Sequence, residues 1–389
     1  MSDGSIDPSF QIKDLDTGEI LDIQGFEHMP RSNYMEFKPI AKPMPDGIKF
    51  IPFLREMKNY LFDLHIKEFY KEHNGSVRYL KTSKDGKYIA SGDEYGIINL
   101  WIYNNESLSL LRKYDGHKSD ITCLDFSSDG LLLSSSLDKM VKLWHPIQSD
   151  ELAIFQHDDS VTAVAFHPKD SSIFLSCSFT NTVYVWNIKS NEIKQTLNFE
   201  SPPTAATFSP DGNNIAIGCL NGFCFIYSYP DFKYVTQFVA GPRSKKQSPN
   251  KKITSIEYIN DNMLLISTND SRIRLFSMEN FQLIRKFIGH ISEGSLLTLS
   301  YSSDGKLLMI PSEKNSSVFI WPIDHENFYK SKFLHNTFCR ERSKTCQGFT
   351  INKHKTITSS IFLKDSTITS PVILFADSEG FMYLVVKIN

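Results

Sequence analysis

The stretch "SSSLDKMVKLWH" brings Ser134, Asp138 and Trp144 together, and a Gly116-His117 pair stands shortly before it. Serine, histidine and aspartate are the parts of a hydrolase triad, in which the histidine takes the serine proton and the acid orients the imidazole. Such a serine must be exposed and face an oxyanion hole, yet no GxSxG elbow accompanies Ser134. Other catalytic signatures are also missing: the sequence has no GxxxxGK[ST] loop, no GxGxxG after a strand and no HExxH helix. His157 and His167 flank one strand and read as ordinary polar or capping residues. Cys219 and Cys224 flank a hairpin turn without further paired ligands, so neither a metal nor a cofactor is expected. The chain reads as a non-enzyme.

The elements that carry these residues recur. The four tryptophans end equivalent segments, "GIINLW" at Trp101, "MVKLW" at Trp144, "TVYVW" at Trp186 and "SVFIW" at Trp321. Tyr227 ("FCFIY") and Phe276 ("RIRLF") fill the interval between the last two. A step of roughly 40–45 residues is the period of a four-stranded propeller blade. Before each aromatic comes an apolar strand, an Asp-Gly or similar turn and a second strand, as in "ITCLDFSSDGLLLSSS" and "LLTLSYSSDGKLLMIPS". Alternation around such a turn is a β-hairpin signature. A weaker seventh copy runs from Thr356 to Val386, with Val385 in the aromatic slot.

The expected fold is therefore all-β, a seven-bladed β-propeller over residues 51–389 preceded by a short irregular N-terminal arm, residues 1–50. The last copy ends after its third strand. A strand near residues 61–72, within "LFDLHIKEFYKEH", is expected to close the ring, which would otherwise keep an unpaired edge.

Gly-His, an aspartate turn and a tryptophan ending the third strand resemble the WD-repeat family. The resemblance implies a buried chain of hydrogen bonds within a blade, matched residue by residue by His117, Ser134, Asp138 and Trp144. In the other repeats Tyr95, Thr180, Asn221 and Asn315 stand in the aspartate slot, Asp270 keeps it and Glu379 approximates it. The runs "FQHDDSVTAVAFHP" and "TNDSRIRLF", with "IKDLDTGEI" in the arm, are similar to WD-repeat proteins that bind Rab-type small GTPases in vesicle recycling. That resemblance implies a protein scaffold in vesicle or endosomal traffic, with a Rab-family GTPase or its partners as ligand. A subunit of a nuclear or RNA-processing assembly is the alternative, since WD-repeat propellers occur there too.

The residue before the aspartate slot reads Glu94, Leu137, Phe179, Leu220, Asn269, Lys314 and Ser378. Three successive apolar turn residues suggest a partner-binding patch, Leu137, Phe179 and Leu220, with Lys139 and Tyr95 from the same turns. The bland reading is that each packs on a neighbouring blade. The loop "GPRSKKQSPNKK" offers Arg243, Lys245, Lys246, Lys251 and Lys252 to acidic headgroups or a negative partner, although most such runs are simply solvated. The insertion from His325 to His354 is placed between the sixth and seventh repeats.

A net charge of −2 gives no basic footprint for DNA, and 41% hydrophobic residues in 389 supply ample core. Six cysteines without a CxxC pair suggest reduced thiols. No stretch approaches the apolar length of a membrane span. The expected location is cytoplasmic, with peripheral association with endosomal or Golgi membranes through partners.

Overall fold

Short alternating runs separated by tight turns have one cheap solution, antiparallel pairing with the nearest neighbour in sequence. In a computed structural model, the described residues are 11–13, 20–22, 49–55, 63–104, 107–241, 251–294, 297–314, 316–323, 341–343, 346–351, 355–363 and 371–387. They form seven blades in a ring, each a sheet of four or five strands, and among them no helix occurs. From the axis outward, blade 1 consists of Val77–Thr82, Tyr88–Asp93, Ile97–Asn104 and Ser107–Asp115. Blades 2, 3 and 4 repeat this order from inner strands Ile121–Phe126, Val161–Phe166 and Pro203–Phe208. Blades 5, 6 and 7 begin at Ile253–Asn260, Ser300–Tyr301 and Ile357–Leu363.

The ring is closed by an N-terminal strand. Leu64–Lys71 pairs antiparallel with Phe381–Lys387 and forms the outer strand of blade 7. This spares the last blade a bare edge on its third strand. The apolar core lies between adjacent blades, as where Ala90, Ile98 and Leu100 of blade 1 meet Leu124, Leu132 and Trp144 of blade 2. Gln11–Lys13 and Ile20–Asp22 pair as a small antiparallel ribbon within the arm. Of the rest of that arm, only residues 49–50 are described.

Two features of the layout differ from the sequence expectation. The long insertion is not a connection between blades 6 and 7, because Cys346–Thr350, within it, pairs with Ser317–Pro322 as the fourth strand of blade 6. Two blades also carry a fifth strand. Glu341–Ser343 adds in parallel to Leu283–Ile288 of blade 5, and Ile51–Arg55 adds antiparallel to Cys346–Thr350 of blade 6.

Side-chain staples join successive inner strands. Thr122 Oγ1 donates to the Val161 carbonyl at 2.7 Å, Thr162 Oγ1 to Pro203 at 2.7 Å, and Thr204 Oγ1 to Ile253 at 2.6 Å. Each satisfies a buried carbonyl of the next blade, which an alternation of apolar residues alone cannot do. The sequence signal is a threonine at the second position of the inner strand.

Candidate functional site

All seven blades build one face of the ring the same way. The amide of the residue opening the turn between second and third strands donates to the carbonyl just before the first strand, or, in blade 6, to the Ile291 carbonyl nine residues before Ser300. The donors are Glu94, Leu137, Phe179, Leu220, Asn269, Glu313 and Ser378, at 2.8 to 3.1 Å. In blade 6 the position is thus held by Glu313, not Lys314, because that turn is one residue longer. Its left-handed residue is Ser316, three beyond Glu313, whereas Gly96, Lys139, Asn181, Gly222, Ser271 and Gly380 follow their donors by two.

These turns carry the exposed apolar residues. Tyr95, Phe179, Leu137 and Leu220 are 61, 47, 44 and 37% exposed. Ser160 links two of them, since its hydroxyl donates to the Leu137 carbonyl and its own carbonyl accepts the Phe179 amide. Blades 2 and 3 therefore hold their apolar tips on a shared support. The Tyr95 ring lies over Gly75, where an added Cβ would come within 2.5 Å of it. Lys139 reaches across to the Asp158 carbonyl at 3.1 Å, and its backbone is left-handed at φ 73°.

Leu137 also borders a cavity of about 460 Å³ at the mouth of the ring, shared with Arg78, Asp120, Lys252 and Glu313. Arg78 stands where blades 2, 3 and 4 have the staple threonine and bonds Glu94 and Asp120, each at 3.1 Å. Burial, only partly offset by Glu313, moves the Lys252 ammonium below its ordinary pKa. Lys251 is exposed; Arg243, Lys245 and Lys246 lie outside the described residues. Deeper, a channel cavity of about 440 Å³ is braced by Lys81, 3.2 Å from Asp125 and 3.8 Å from Glu257.

The triad-like residues lie behind this face. His117 Nε2 is 2.7 Å from Ser134 Oγ and its Nδ1 is 2.9 Å from Asp138, the connectivity of a hydrolase triad. Ser134 is wholly buried, however, and its oxygen accepts the Trp144 indole N–H at 2.8 Å. No substrate can reach that hydroxyl in this packing, and every polar group in the chain of bonds is occupied. Asp138 further accepts the amides of Lys118 and Met140. Burial opposes its charge, but His117 and these amides outweigh burial and hold the carboxyl below its usual range. Gly116 explains the Gly-His pair: a Cβ there would stand 2.6 Å from the Trp144 ring.

Blade 1 has the same fastening, with His73 bonded to Ser91 and Asp93 and Trp101 donating to Ser91. Its aspartate comes two residues before Tyr95. Blade 7 likewise uses Asp377, not Glu379, to accept the amides of Glu379 and Phe381 and the Tyr383 hydroxyl. Blade 3 keeps His157, Ser176 and Trp186 without an acid. In blade 5, Asp270 pairs with the buried Arg274 and with Arg272 at 2.8 Å. Strand register puts Ile217, Ile266, Ile310 and Phe375 at the serine position in blades 4 to 7. His167 packs on Phe208 and Tyr229, and its Nε2 is 3.2 Å from the Gly212 carbonyl. Cys219 and Cys224 are buried free thiols, the former pushed up to about 12 by burial. Among the described residues no three metal-ligating side chains converge.

A seven-bladed ring fastened in this way fits a WD-repeat protein. The WD40 family, "WD domain, G-beta repeat", matches residues 65–101, 108–145 and 149–187, three repeats that each begin on the outer strand of one blade and contain the serine of the next. The chain is similar to WD repeat-containing protein 44 of Xenopus laevis, 30% identical over 355 residues, covering 76% of this chain and 38% of the relative. It is also similar to an uncharacterized WD repeat-containing protein of Schizosaccharomyces pombe, at 29% identity over 64% of this chain and 48% of that one. The 2-deoxy-glucose resistant protein 2 of Saccharomyces cerevisiae is 25% identical over 75% of this chain and 35% of its own length. The chain thus spans between about a third and a half of the length of these relatives.

Proposed function

We propose that this propeller is a protein-interaction scaffold of vesicle or endosomal traffic, and that a Rab-type small GTPase or its partner binds the turn face. The observation that carries the reading is the run of exposed apolar tips on successive blades, Tyr95, Leu137, Phe179 and Leu220. A hydrophobic centre with a charged rim is the composition of a binding patch, and Arg78, Asp120 and Lys252 supply that rim. The choice of a GTPase rests on the resemblance of the second to fifth repeats to Rab-binding WD-repeat proteins. In this reading the chain works in the cytoplasm and reaches endosomal or Golgi membranes through its partner, with the 241–252 loop adding attraction to anionic surfaces.

The test is binding of the full chain to a panel of Rab GTPases loaded with GDP or a non-hydrolysable GTP analogue. We expect one or more GTP-form proteins to bind. The triple variant Leu137→Ser, Phe179→Ser, Leu220→Ser should weaken that binding about a hundredfold without unfolding the ring. No nucleotide-dependent binding across the panel removes the GTPase from the proposal.

A further inference from the structure

The outer edge of each blade exposes unpaired backbone groups, and proteins guard such edges with charge, proline or cover. Blade 1 has Arg112, Lys113 and Asp115 on its outer strand, blade 2 Glu151, blade 3 Glu192 and Lys194, and blade 7 Lys67, Glu68 and Lys71. Blade 5 has Arg285 and Lys286 and is also covered by Glu341–Ser343. Two outer strands hold neither charge nor proline, Cys346–Thr350 of blade 6 and Tyr234–Val239 of blade 4. The first is covered along its whole length by Ile51–Arg55, whose Pro52 sits on the new edge. The second carries no further strand among the described residues, and exposes Tyr234 by 55% and Val235 by 45%. The neighbouring Asp231 and Lys233 pair with each other at 3.4 Å just before the strand.

We infer that the Tyr234–Val239 edge of blade 4 receives an extended, uncharged segment of a partner protein as a fifth strand. The molecule itself supplies the precedent, since its other unguarded edge is completed by a five-residue segment. Backbone hydrogen bonds give such a contact its affinity, and apolar or β-branched side chains on the incoming strand would cover Tyr234 and Val235. A second copy of the chain is a poor occupant. Six residues of edge bury far less than the roughly 1,200 Å² of a stable specific interface, whereas a peptide strand needs no more than this. The edge lies on the outer rim, away from the turn face proposed for the GTPase, so the two readings stand or fall separately.

The probe is a fluorescein-labelled peptide of alternating threonine and valine, six residues long with one solubilising lysine at each end. Fluorescence polarisation with the full chain should show saturable binding. Val235→Lys should weaken it about tenfold or more, while Ile193→Lys on the rim of blade 3 leaves it unchanged. A version of the peptide N-methylated at every residue, which leaves neither edge a free N–H, should not bind, and this tests the backbone pairing without altering the protein. Hydrogen exchange of the full chain should show the alternate 234–239 amides that face away from Phe223–Ser228 open without peptide and protected with it. The inference is overturned by no binding, by equal binding to Val235→Lys, or by equal binding of the methylated peptide. It is equally overturned if those amides are already protected in the dilute free chain, or if sedimentation shows a dimer that Val235→Lys abolishes, since the edge would then be filled by this chain or its copy.

Discussion

Blades 2 and 6 both keep a Gly-His pair and a tryptophan, yet only blade 2 keeps the serine between them. In blade 2 the Ser134 hydroxyl joins His117 to Trp144, and both rings are fully hydrogen-bonded. In blade 6 the register puts Ile310 at that place, and both His290 nitrogens and the Trp321 indole N–H lack partners among the described residues. The two rings still meet edge to face, 5.9 Å apart at 80°. The difference identifies the serine as the hub: without it the same two residues contribute packing alone. Blades 4, 5 and 7, which also lack the serine, have Tyr227, Phe276 and Val385 at the tryptophan position, which removes the indole donor along with its acceptor.

The comparison can be broken most decisively at the hub. Ser134→Ala strands two buried polar groups and should cost about 3 kcal/mol in denaturant unfolding. An unchanged midpoint would show that the bonds do not stabilise blade 2. His117→Leu should cost about 2 kcal/mol at pH 7, while His290→Leu at the same pH should cost less than about 1 kcal/mol, because it removes no hydrogen bond. Equal costs would mean that His290 has a partner of its own.

Acid sharpens the contrast. Burial lowers the His290 pKa to about 4 despite the nearby Asp270 charge, and burial likewise lowers His157 to about 4. An unfolded histidine binds its proton near pH 6.5, so below that pH the unfolded state takes up more protons than the folded state. Stability therefore falls as pH drops from about 6.5 to 4, by about 3 kcal/mol for each such histidine. His290→Leu should abolish its share, read as a flatter unfolding free energy against pH; an unaltered slope would place the titration elsewhere. Asp138 has the lowered carboxyl of an acid that is stabilising when charged, so its contribution is present above the ordinary carboxylate range and fades as pH falls through its folded pKa. Asp138→Ala should cost about 1.5 kcal/mol at pH 7 by the same measurement. The smallest change is a gain: Lys139→Gly relieves a left-handed backbone and should add about 0.5 kcal/mol, visible as a slightly higher Tm.

Much of the fold was legible because a propeller repeats its signals. The aromatic spacing and hairpin turns gave seven blades, and the missing last strand pointed to the segment that became Leu64–Lys71. The His117, Ser134, Asp138 and Trp144 bonds were readable because all four residues stand at the spacing of the family motif. Asp93 and Asp377 were overlooked because they sit two residues before the slot, at the end of a strand. The turn in blade 6 was aligned one residue late because its extra residue leaves no mark in composition. The partner for Asp270 was not apparent either, since "TNDSRIRLF" holds two arginines and only the folded strand shows that Arg274 is the one turned inward.

By itself the sequence determined the period, the blade count and the type of element, since alternation and turn chemistry act over a few residues and need no distant contact. The three-dimensional structure alone decided which residues share a face. It brought Leu137 and Phe179 onto Ser160, laid Arg78 between Glu94 and Asp120, and buried the Ser134 hydroxyl beyond any substrate. It also decided which edges are covered, because strand addition by Ile51–Arg55 and Glu341–Ser343 joins segments far apart in the chain. Backbone pairing of that kind depends on unpaired N–H and C=O groups at an edge, and those groups are the same in every residue except proline.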